Sequence, residues 1–248
     1  MSISAAVRQK LSPAALRDPG IGRAPREDRQ RSGSAARFPV RNLIRSLLEG
    51  EHEQALDLSV RVLYETRSRT SVFADLLQPA QLEISNLWYA GRVTRSDEVR
   101  VAEAVAEIVT ALPSTPVPRK VPEGSRCVLA VPRGDPHDLG LRMLTLALQD
   151  HGWTTELLGP TRHLCEVAEV VVGRRPSFFG LSAGVLPPGI ELQGAIRMLR
   201  EARIPVLVGG AAFNRRPDLW RGLGAAGPGP DLRVGVVLAE KIGCRRLS

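Results

Sequence analysis

The chain has 248 residues, of which 43% are hydrophobic and 24% charged, and its 34 basic and 26 acidic residues give a formal net charge of +8. These proportions are typical of an ordinary globular protein with room for one large or two small domains. No apolar run approaches the length of a membrane span, and the first residues lack the apolar core of a signal peptide, so we expect a cytoplasmic protein without membrane contact. The three cysteines lie too far apart in sequence for a zinc ribbon or a disulfide framework.

Residues 1–36 are predicted to form a flexible basic arm. The segment is rich in Pro, Gly and Ser, lacks apolar periodicity, and holds seven basic residues against three acidic ones. Such an arm is typical of contact with nucleic acid or an acidic protein partner, and equally of a solvated tail with no partner. There is no helix-turn-helix pattern here, so we do not expect autonomous sequence-specific DNA binding.

Residues 37–112 are predicted to form a bundle of four amphipathic helices, because apolar residues recur at helical spacing in four consecutive segments. The fourth helix is predicted to begin at a cap formed by Ser96, with Asp97 and Glu98 in its first turn. The apolar stripes of the four helices are Leu43, Ile44, Leu47 and Leu48; Ala55, Leu56, Leu58, Val60, Val62 and Leu63; Val72, Leu76, Leu77, Leu82, Ile84 and Leu87; and Val99, Ala102, Val105 and Ile108.

Residues 113–125 are predicted to be a linker, because four prolines interrupt all periodicity there. In residues 126–248 short apolar runs alternate with helical stretches, a pattern that is typical of a doubly wound parallel sheet. The runs lie at 127–131, 154–158, 178–181 and 206–208, and the helical stretches at 141–149, 164–172 and 190–199. The sequence therefore predicts an α/β chain, in which a four-helix bundle precedes a flavodoxin-like domain with a five-stranded parallel sheet.

The motif Asp-x-His-x-x-Gly, formed by Asp135, His137 and Gly140, follows the first predicted strand and opens the next helix. Ligands bind at that end of a parallel strand in open α/β sheets. A carboxylate at Asp135 can accept one imidazole N–H and leave the other nitrogen of His137 free for a metal. Gly140 leaves room for a bulky group at the helix start. A solvated loop histidine or a helix-capping residue is the simpler alternative for a motif this short.

Small residues follow two later strands. Ser182 and Gly184 come after the third strand, and Gly209 and Gly210 after the fourth. Small side chains at neighbouring strand ends predict a slot between sheet and helices, into which a long group can thread. Turns from strand to helix are also commonly Gly and Ser, so each pair alone is weak evidence.

Together these elements resemble the cobalamin-binding domain family, whose pattern is Asp-x-His-x-x-Gly, then Ser-x-Leu, then Gly-Gly. The separation between His137 and Ser182 also suits that fold. The resemblance implies a cobalamin cofactor, as adenosylcobalamin or hydroxocobalamin, in which His137 replaces the benzimidazole as lower cobalt ligand and Asp135 is its hydrogen-bond partner. It also implies which residues line the displaced nucleotide tail: Ser182, Gly184, Gly209 and Gly210.

The resemblance extends to the bundle and spans about residues 37–210. The segment Leu-Trp-Tyr-Ala-Gly-Arg-Val at 87–93, followed by Asp97 and Glu98, is similar to the helical cap that covers the upper face of the corrin in this family. By this likeness Trp88 is the lid over the upper face of the ligand and Glu98 a polar contact. Plain core packing is the alternative for Trp88.

Three positions depart from the family pattern. Gly184 stands where the Ser-x-Leu element has leucine, which implies a looser slot for the tail. Pro188 stands where the methyltransferases have a second serine that relays protons to the histidine, which argues against cycling between cobalt oxidation states. Tyr89 and the pair Glu98-Val99 stand where cap-type photoreceptors have a histidine and a Glu-His pair, so a light-induced upper histidine ligand is not implied.

The organisation resembles that of the stand-alone AerR/PpaA-type cobalamin-binding antirepressors and of the sensory half of the light-sensing MerR-like regulators. The likeness implies a cobalamin-binding, light-responsive photoreceptor that regulates transcription through a partner repressor. No Ser-His-Asp or paired-carboxylate arrangement is evident from spacing, so we expect no enzymatic turnover.

Two other functions fit the same motifs. A corrinoid carrier protein of a methyltransferase system also pairs a helical cap with this domain, although Trp88 and Pro188 count against it. A haem-binding sensory module is the other alternative, because haem iron would also accept His137.

Overall fold

The computed structural model describes residues 37–118, 120–160 and 162–245. Within them the chain divides into two compact units, the first ending at Pro113 and the second beginning at Ser114. The predicted basic arm, residues 1–36, lies outside the described residues. No helix in the described part of the chain is long and apolar enough to cross a membrane.

The first unit consists of helices packed around an apolar core. They are α1 (Arg37–Leu48), α2 (His52–Thr66), α3 (Arg69–Val72), α4 (Gln78–Tyr89) and α5 (Arg95–Ala111). A single π-helical turn, Phe73–Leu77, joins α3 to α4, so these two segments form the third of the four predicted helices. The core includes the fully buried side chains of Leu43, Leu47, Leu56, Phe73, Leu76, Leu77, Ile84 and Ile108.

The cap of the last helix differs from the prediction. The N-cap is Thr94 and not Ser96, because Thr94 and Asp97 form a reciprocal capping box. The Thr94 hydroxyl accepts the Asp97 N–H at 3.1 Å, and the Asp97 carboxylate accepts the Thr94 N–H at 3.0 Å. Hydrogen bonds from Thr94 and Arg100 lower the pKa of the Asp97 carboxyl to about 2.

Two residues of the predicted apolar stripes lie on the surface. Leu82 is 62% exposed and Val99 is 41% exposed. The buried residues of this segment keep helical spacing from Phe73 to Ile84, whereas Leu82 lies two residues from both Ala80 and Ile84 and so on the opposite side of α4. Val99 follows the buried Glu98 and so points away from the core face of α5.

The second unit is an α/β domain. Its strands are β1 (Arg126–Ala130), β2 (Thr154–Leu158), β3 (Phe178–Ser182), β4 (Val206–Gly209) and β5 (Gly227–Gly229). The helices between them are α6 (Leu139–Asp150), α7 (Leu164–Arg174), α8 (Gly189–Glu201), α9 (Ala211–Asn214) and α10 (Leu219–Leu223), and α11 (Leu232–Arg245) follows β5.

All five strands are parallel and lie in the order β2-β1-β3-β4-β5, so the predicted flavodoxin-like sheet is confirmed. From β1 the chain adds β2 on one side and then crosses to β3 on the other. The point where the direction reverses therefore lies between β1 and β3. This is where open sheets of this kind bind ligands, at the carboxyl ends of the strands.

A continuous apolar core fixes the strands that surround this point. It joins β1, β3 and β4 to α7 and α8, and its fully buried members include Val128, Ala130, Val171, Phe179, Leu181, Ile196 and Val206. Cys127 is also fully buried. Burial raises the pKa of the Cys127 thiol to about 12, so at neutral pH it is an inert core residue.

Candidate functional site

The loop between β1 and α6 places His137 at the switch point of the sheet. Gly134 adopts a φ of +75°, a left-handed conformation that glycine tolerates best. Its N–H donates to the Pro160 carbonyl at 3.1 Å, and the Asp135 N–H donates to the Pro132 carbonyl at 3.1 Å. The first bond ties the loop to the segment after β2, and the second closes a turn that ends at the buried Asp135.

The Asp135 carboxylate lies at the centre of the site and is only 4% exposed. Its Oδ1 accepts the backbone N–H of His137 at 3.0 Å and lies 2.8 Å from His137 Nδ1. Its Oδ2 accepts the backbone N–H groups of Gly184 at 2.5 Å and Val185 at 3.2 Å. One buried carboxylate therefore joins the loop after β1 to the loop after β3.

The pKa of Asp135 reflects two opposing effects. Burial is the largest single influence and raises it, because a charge is costly away from water. The bonds from the backbone and side chain of His137, and from the backbone of Gly184 and Val185, together outweigh burial. The pKa of Asp135 therefore lies below its ordinary value, and the group is a carboxylate at neutral pH.

This carboxylate determines which nitrogen of His137 is available to a ligand. An ionised carboxylate only accepts hydrogen bonds, so the 2.8 Å contact assigns the proton to Nδ1 and the lone pair to Nε2. The His137 side chain is 53% exposed, and within the described part of the chain Nε2 has no hydrogen-bond partner. The imidazole is thus oriented on one side and open on the other, as a metal ligand requires.

Gly184 makes room for this imidazole. A Cβ atom added at Gly184 would lie 2.6 Å from His137 Nδ1 and 3.1 Å from Asp135 Oδ1. Any side chain at this position would therefore displace the imidazole or the carboxylate. The sequence predicts Gly184 as part of the lining of a tail slot, and the structure places it directly against His137.

Gly209 and Gly210 allow the ends of neighbouring strands to approach each other. A Cβ at Gly209 would lie 2.9 Å from the Gly229 carbonyl oxygen, and one at Gly210 would lie 2.5 Å from the Ala183 carbonyl oxygen. Ser182 pairs with Gly209 in the register of β3 and β4. Backbone therefore occupies the position that a Cβ would take at each of these glycines. Their contact with a ligand stays a prediction.

Gly140 lies near the start of α6 and has open space around it. No heavy atom comes within 4 Å of a Cβ built there. The protein itself therefore gives no packing reason for glycine at this position. The sequence predicts that a bulky group lies close to the helix start, and this open space would admit it.

Family comparisons agree with this geometry. Residues 125–237 match a family model described as a B12 binding domain, and residues 40–112 match a second B12 binding domain model. The chain belongs to the B12-binding proteins. Its α/β unit and its helical unit are each covered by one of the two models.

Individual relatives are more distant. The chain is 30% identical over 144 residues to the HTH-type transcriptional repressor CarH of Myxococcus xanthus, a match that covers 56% of this chain and 47% of the repressor. The chain thus spans about half the length of this curated relative.

One solved structure of a corrinoid protein shares the fold. The monomethylamine corrinoid protein of Methanosarcina barkeri matches with a TM-score of 0.69 and 15% identity, covering 84% of this chain and all of that one. The methanol:cobalamin methyltransferase complex MtaBC of the same organism matches with a TM-score of 0.44 and 19% identity, covering 88% of this chain and 86% of that one.

The residues of the site suit a corrinoid. Among the described residues no three His, Cys, Asp or Glu side chains come together in a way that could hold a bare metal ion. A single imidazole is sufficient for a metal that arrives with its own ring of equatorial ligands. His137, oriented by Asp135, offers that one ligand.

The other predicted contacts, Trp88 and Glu98, lie in the helical unit and share a neighbour, Arg95, that was not predicted. The Arg95 guanidinium lies 4.7 Å from the centre of the Trp88 ring, and its Nη1 is 3.0 Å from Glu98 Oε2. Trp88 also contacts Tyr89, with ring centres 4.7 Å apart. Arg95 therefore links the predicted lid to the predicted polar contact, and its position three residues before Glu98 is the signal that points to it.

We expect Asp135→Asn to weaken cobalamin binding about 10- to 100-fold, the usual cost of losing a group that orients a metal ligand. Asparagine removes the charge that fixes the Nδ1–H tautomer of His137 while nearly preserving the shape. Titration of each protein with hydroxocobalamin, followed by absorbance, measures the effect. Asp138→Asn is the matched control, because Asp138 lies in the same loop but pairs with Arg142 at 2.9 Å. Equal affinities of parent and Asp135→Asn would contradict the orienting role.

The parent and the Asp135→Asn variant also allow a stability test, in which the direction of the pH dependence is predicted. Because the pKa of Asp135 is lowered in the folded protein, its stabilising contribution is complete above the pKa of an unfolded aspartate and is lost as pH falls through the folded pKa. The difference in unfolding free energy between parent and Asp135→Asn is expected to be about 1–3 kcal/mol at neutral pH and to shrink in acid. Denaturant unfolding across this pH range measures it.

Proposed function

We propose that this B12-binding protein is a light-responsive regulator that controls transcription through a repressor protein. Its proposed cofactor is adenosylcobalamin or hydroxocobalamin, with His137 as the lower cobalt ligand. The observation that supports a regulatory role is the 30% identity over 144 residues to a transcriptional repressor. That match spans more than half of the present chain and so involves a large part of its B12-binding region.

The residues of the site suit a sensor that holds its cofactor steadily. Asp135 is anchored by backbone N–H groups from two loops, so the orientation of His137 depends on rigid elements of the sheet. Pro188, at the start of α8, has no hydroxyl with which to pass a proton towards the histidine. Both features favour a fixed lower ligand over one that is released and rebound during turnover.

The proposed signal passes through the helical unit. When bound, an alkylcobalamin supplies a cobalt–carbon bond that visible light can break. In this proposal Trp88 contacts the upper side of the cofactor. Arg95, which lies against both Trp88 and Glu98, transmits a displacement of the Trp88 ring to the start of α5. A change in this cluster alters the surface of the helical unit that a repressor recognises.

A corrinoid carrier of a methyltransferase system is the second candidate. The shared fold with the monomethylamine corrinoid protein does not decide between the two, because proteins of different function use the same fold. Methyl transfer from the bound corrinoid to an acceptor protein or thiol would favour the carrier. A haem-binding module would be indicated by a purified protein with a Soret band and no corrinoid spectrum.

The lid can be tested with Trp88→Ala. We expect the variant to retain cobalamin in the dark but to lose most of the light-induced change, because the ring that contacts the cofactor is absent. Trp88→Phe keeps an aromatic face for Arg95 and is the matched control. The measurement is gel filtration in the dark and after illumination, together with absorption spectra. A Trp88→Ala protein that responds as the parent does would remove the lid role.

A further inference from the structure

A row of three arginines lies along the edge of the sheet opposite the His137 site. Arg126 begins β1, Arg175 caps the end of α7 before β3, and Arg203 follows α8 before β4. These three strands are neighbours in the sheet, with backbones about 5 Å apart. Because the strands are parallel, their amino ends share one edge, and the loops after their carboxyl ends lie at the other.

Backbone hydrogen bonds hold the segments of this arginine row side by side. The Arg126 carbonyl accepts the Ser177 N–H at 2.7 Å. The Pro205 carbonyl accepts the Phe179 N–H at 2.9 Å. Ser177 and Pro205 each stand two residues after an arginine of the row, so the sheet fixes the backbone to which all three side chains are attached.

Two arginines of the row occupy positions that favour glycine. Arg175 has a φ of +48° and Arg203 a φ of +58°, in the left-handed region that disfavours a side chain. Helices commonly end at a glycine in this conformation, so the backbone itself gives no reason for arginine. A cation at a helix C-terminus is also stabilised by the helix dipole, which is the structural alternative.

The charge of the arginine row is open to solvent. Its three side chains are exposed, and none forms an ion pair within the described ranges. Arg200 adds a fourth exposed cation, because a Cβ at Gly224, just before β5, would lie 2.6 Å from its Nη1. The exposed acidic residues within three positions of these four arginines are Glu123 and Glu201, so cations predominate.

The composition of this edge suits a nucleic acid better than a protein. In the described part of the chain, no large apolar side chain is exposed in the loops that lead into the strands. Protein interfaces have an apolar centre, whereas binding to the phosphates of DNA needs only Lys and Arg. The guanidinium group also matches the geometry of phosphate oxygens.

We propose that the arginine row, together with Arg200, binds the phosphate backbone of DNA. Such a contact carries no sequence information, because it does not involve base edges. The inference goes beyond the proposed function, since a protein that acts through a repressor needs no DNA surface of its own. It does not depend on the cofactor, whose candidate site lies at the opposite edge.

The test measures binding of a short fluorescein-labelled DNA duplex of arbitrary sequence to the full-length protein by fluorescence anisotropy, at several salt concentrations. The variant is Arg175→Gln/Arg203→Gln. The control is Arg215→Gln/Arg216→Gln, which removes the same charge from two exposed arginines that follow the carboxyl end of β4. Residues 1–36 are present in every protein, so a difference between variant and control reports on the α/β unit.

We expect Arg175→Gln/Arg203→Gln to bind the duplex about tenfold more weakly than the parent, and the slope of log affinity against log salt to fall by about 2, one for each lost phosphate contact. The control should differ little from the parent. Equal affinities of variant and control, or no binding by the parent, would overturn the inference. A labelled polyglutamate peptide that binds through the row when the duplex does not would overturn it in favour of an acidic protein partner.

Arg175→Gly/Arg203→Gly separates this role from the structural alternative. Glycine suits the left-handed backbone, so we expect the variant to be at least as stable as the parent to denaturant while losing the same DNA affinity. A glycine variant that unfolds more easily but binds DNA as the parent does would assign the arginines to the helix ends and overturn the inference.

Discussion

His137→Ala is expected to reduce cobalamin affinity by more than the roughly 10–100-fold that follows loss of an orienting residue, because it removes the ligand itself. The folded state should lose only about 1 kcal/mol of unfolding free energy, because the buried Asp135 carboxylate loses one of its hydrogen bonds. The side chain is half exposed, and Asp135 keeps its bonds to the backbone of His137, Gly184 and Val185. Titration with hydroxocobalamin and denaturant unfolding measure the two quantities.

His163→Ala is the control for this experiment. His163 lies before α7, has a similar exposure of 55%, and contacts Arg133 and Glu191 rather than Asp135. The His163→Ala variant should bind cobalamin with the affinity of the parent. If His137→Ala retains both the affinity and the spectrum of the parent, His137 is an ordinary loop histidine.

Gly184→Ala is the second substitution with a large expected effect. The new methyl group would lie 2.6 Å from His137 Nδ1, so the imidazole must leave Asp135. We expect a loss of about 1–3 kcal/mol in unfolding free energy from overpacking, and a fall in cobalamin affinity of at least the 10–100-fold expected when orientation is lost. Denaturant unfolding and hydroxocobalamin titration again provide the measurements.

A double-mutant cycle separates this contact from general strain. In the His137→Ala background the imidazole is absent, so adding Gly184→Ala should cost much less stability than it does in the parent. Gly140→Ala is a neutral comparison in the apoprotein, because no atom lies within 4 Å of the added methyl. A stability cost of Gly184→Ala that is the same in both backgrounds would show that His137 is not what the glycine accommodates.

Local patterns predicted the fold correctly where a single segment decides the outcome. Four short apolar runs and their intervening helices indicate the parallel sheet, and the motif around His137 follows from its position after the first strand. The interaction between Asp135 and His137 was also predictable, because the residues lie two apart in one loop.

Features that depend on contacts between distant segments were not predictable. The bond from Gly184 to Asp135 joins loops 49 residues apart, and no spacing rule reveals that Gly184 accommodates an imidazole. Two local signals, by contrast, were missed. Leu82 lies two residues from both Ala80 and Ile84, and therefore on the opposite side of α4 from these buried residues. The Thr94 cap was predictable from the capping-box spacing between Thr94 and Asp97. Residue type alone does not distinguish it from Ser96, because both serine and threonine are favoured at helix N-caps.

The central claim is that the Nε2 atom of His137 is the lower ligand of cobalt. We would label the protein with ¹⁵N-histidine, load it with cob(II)alamin, and record the electron paramagnetic resonance spectrum, in which the unpaired electron on cobalt couples to the axial nitrogen. A histidine ligand predicts doublet splitting in the labelled protein, triplet splitting in the unlabelled one, and loss of the label effect in His137→Ala. Triplet splitting in the labelled protein would assign the ligand to the benzimidazole of the cofactor and would contradict the account.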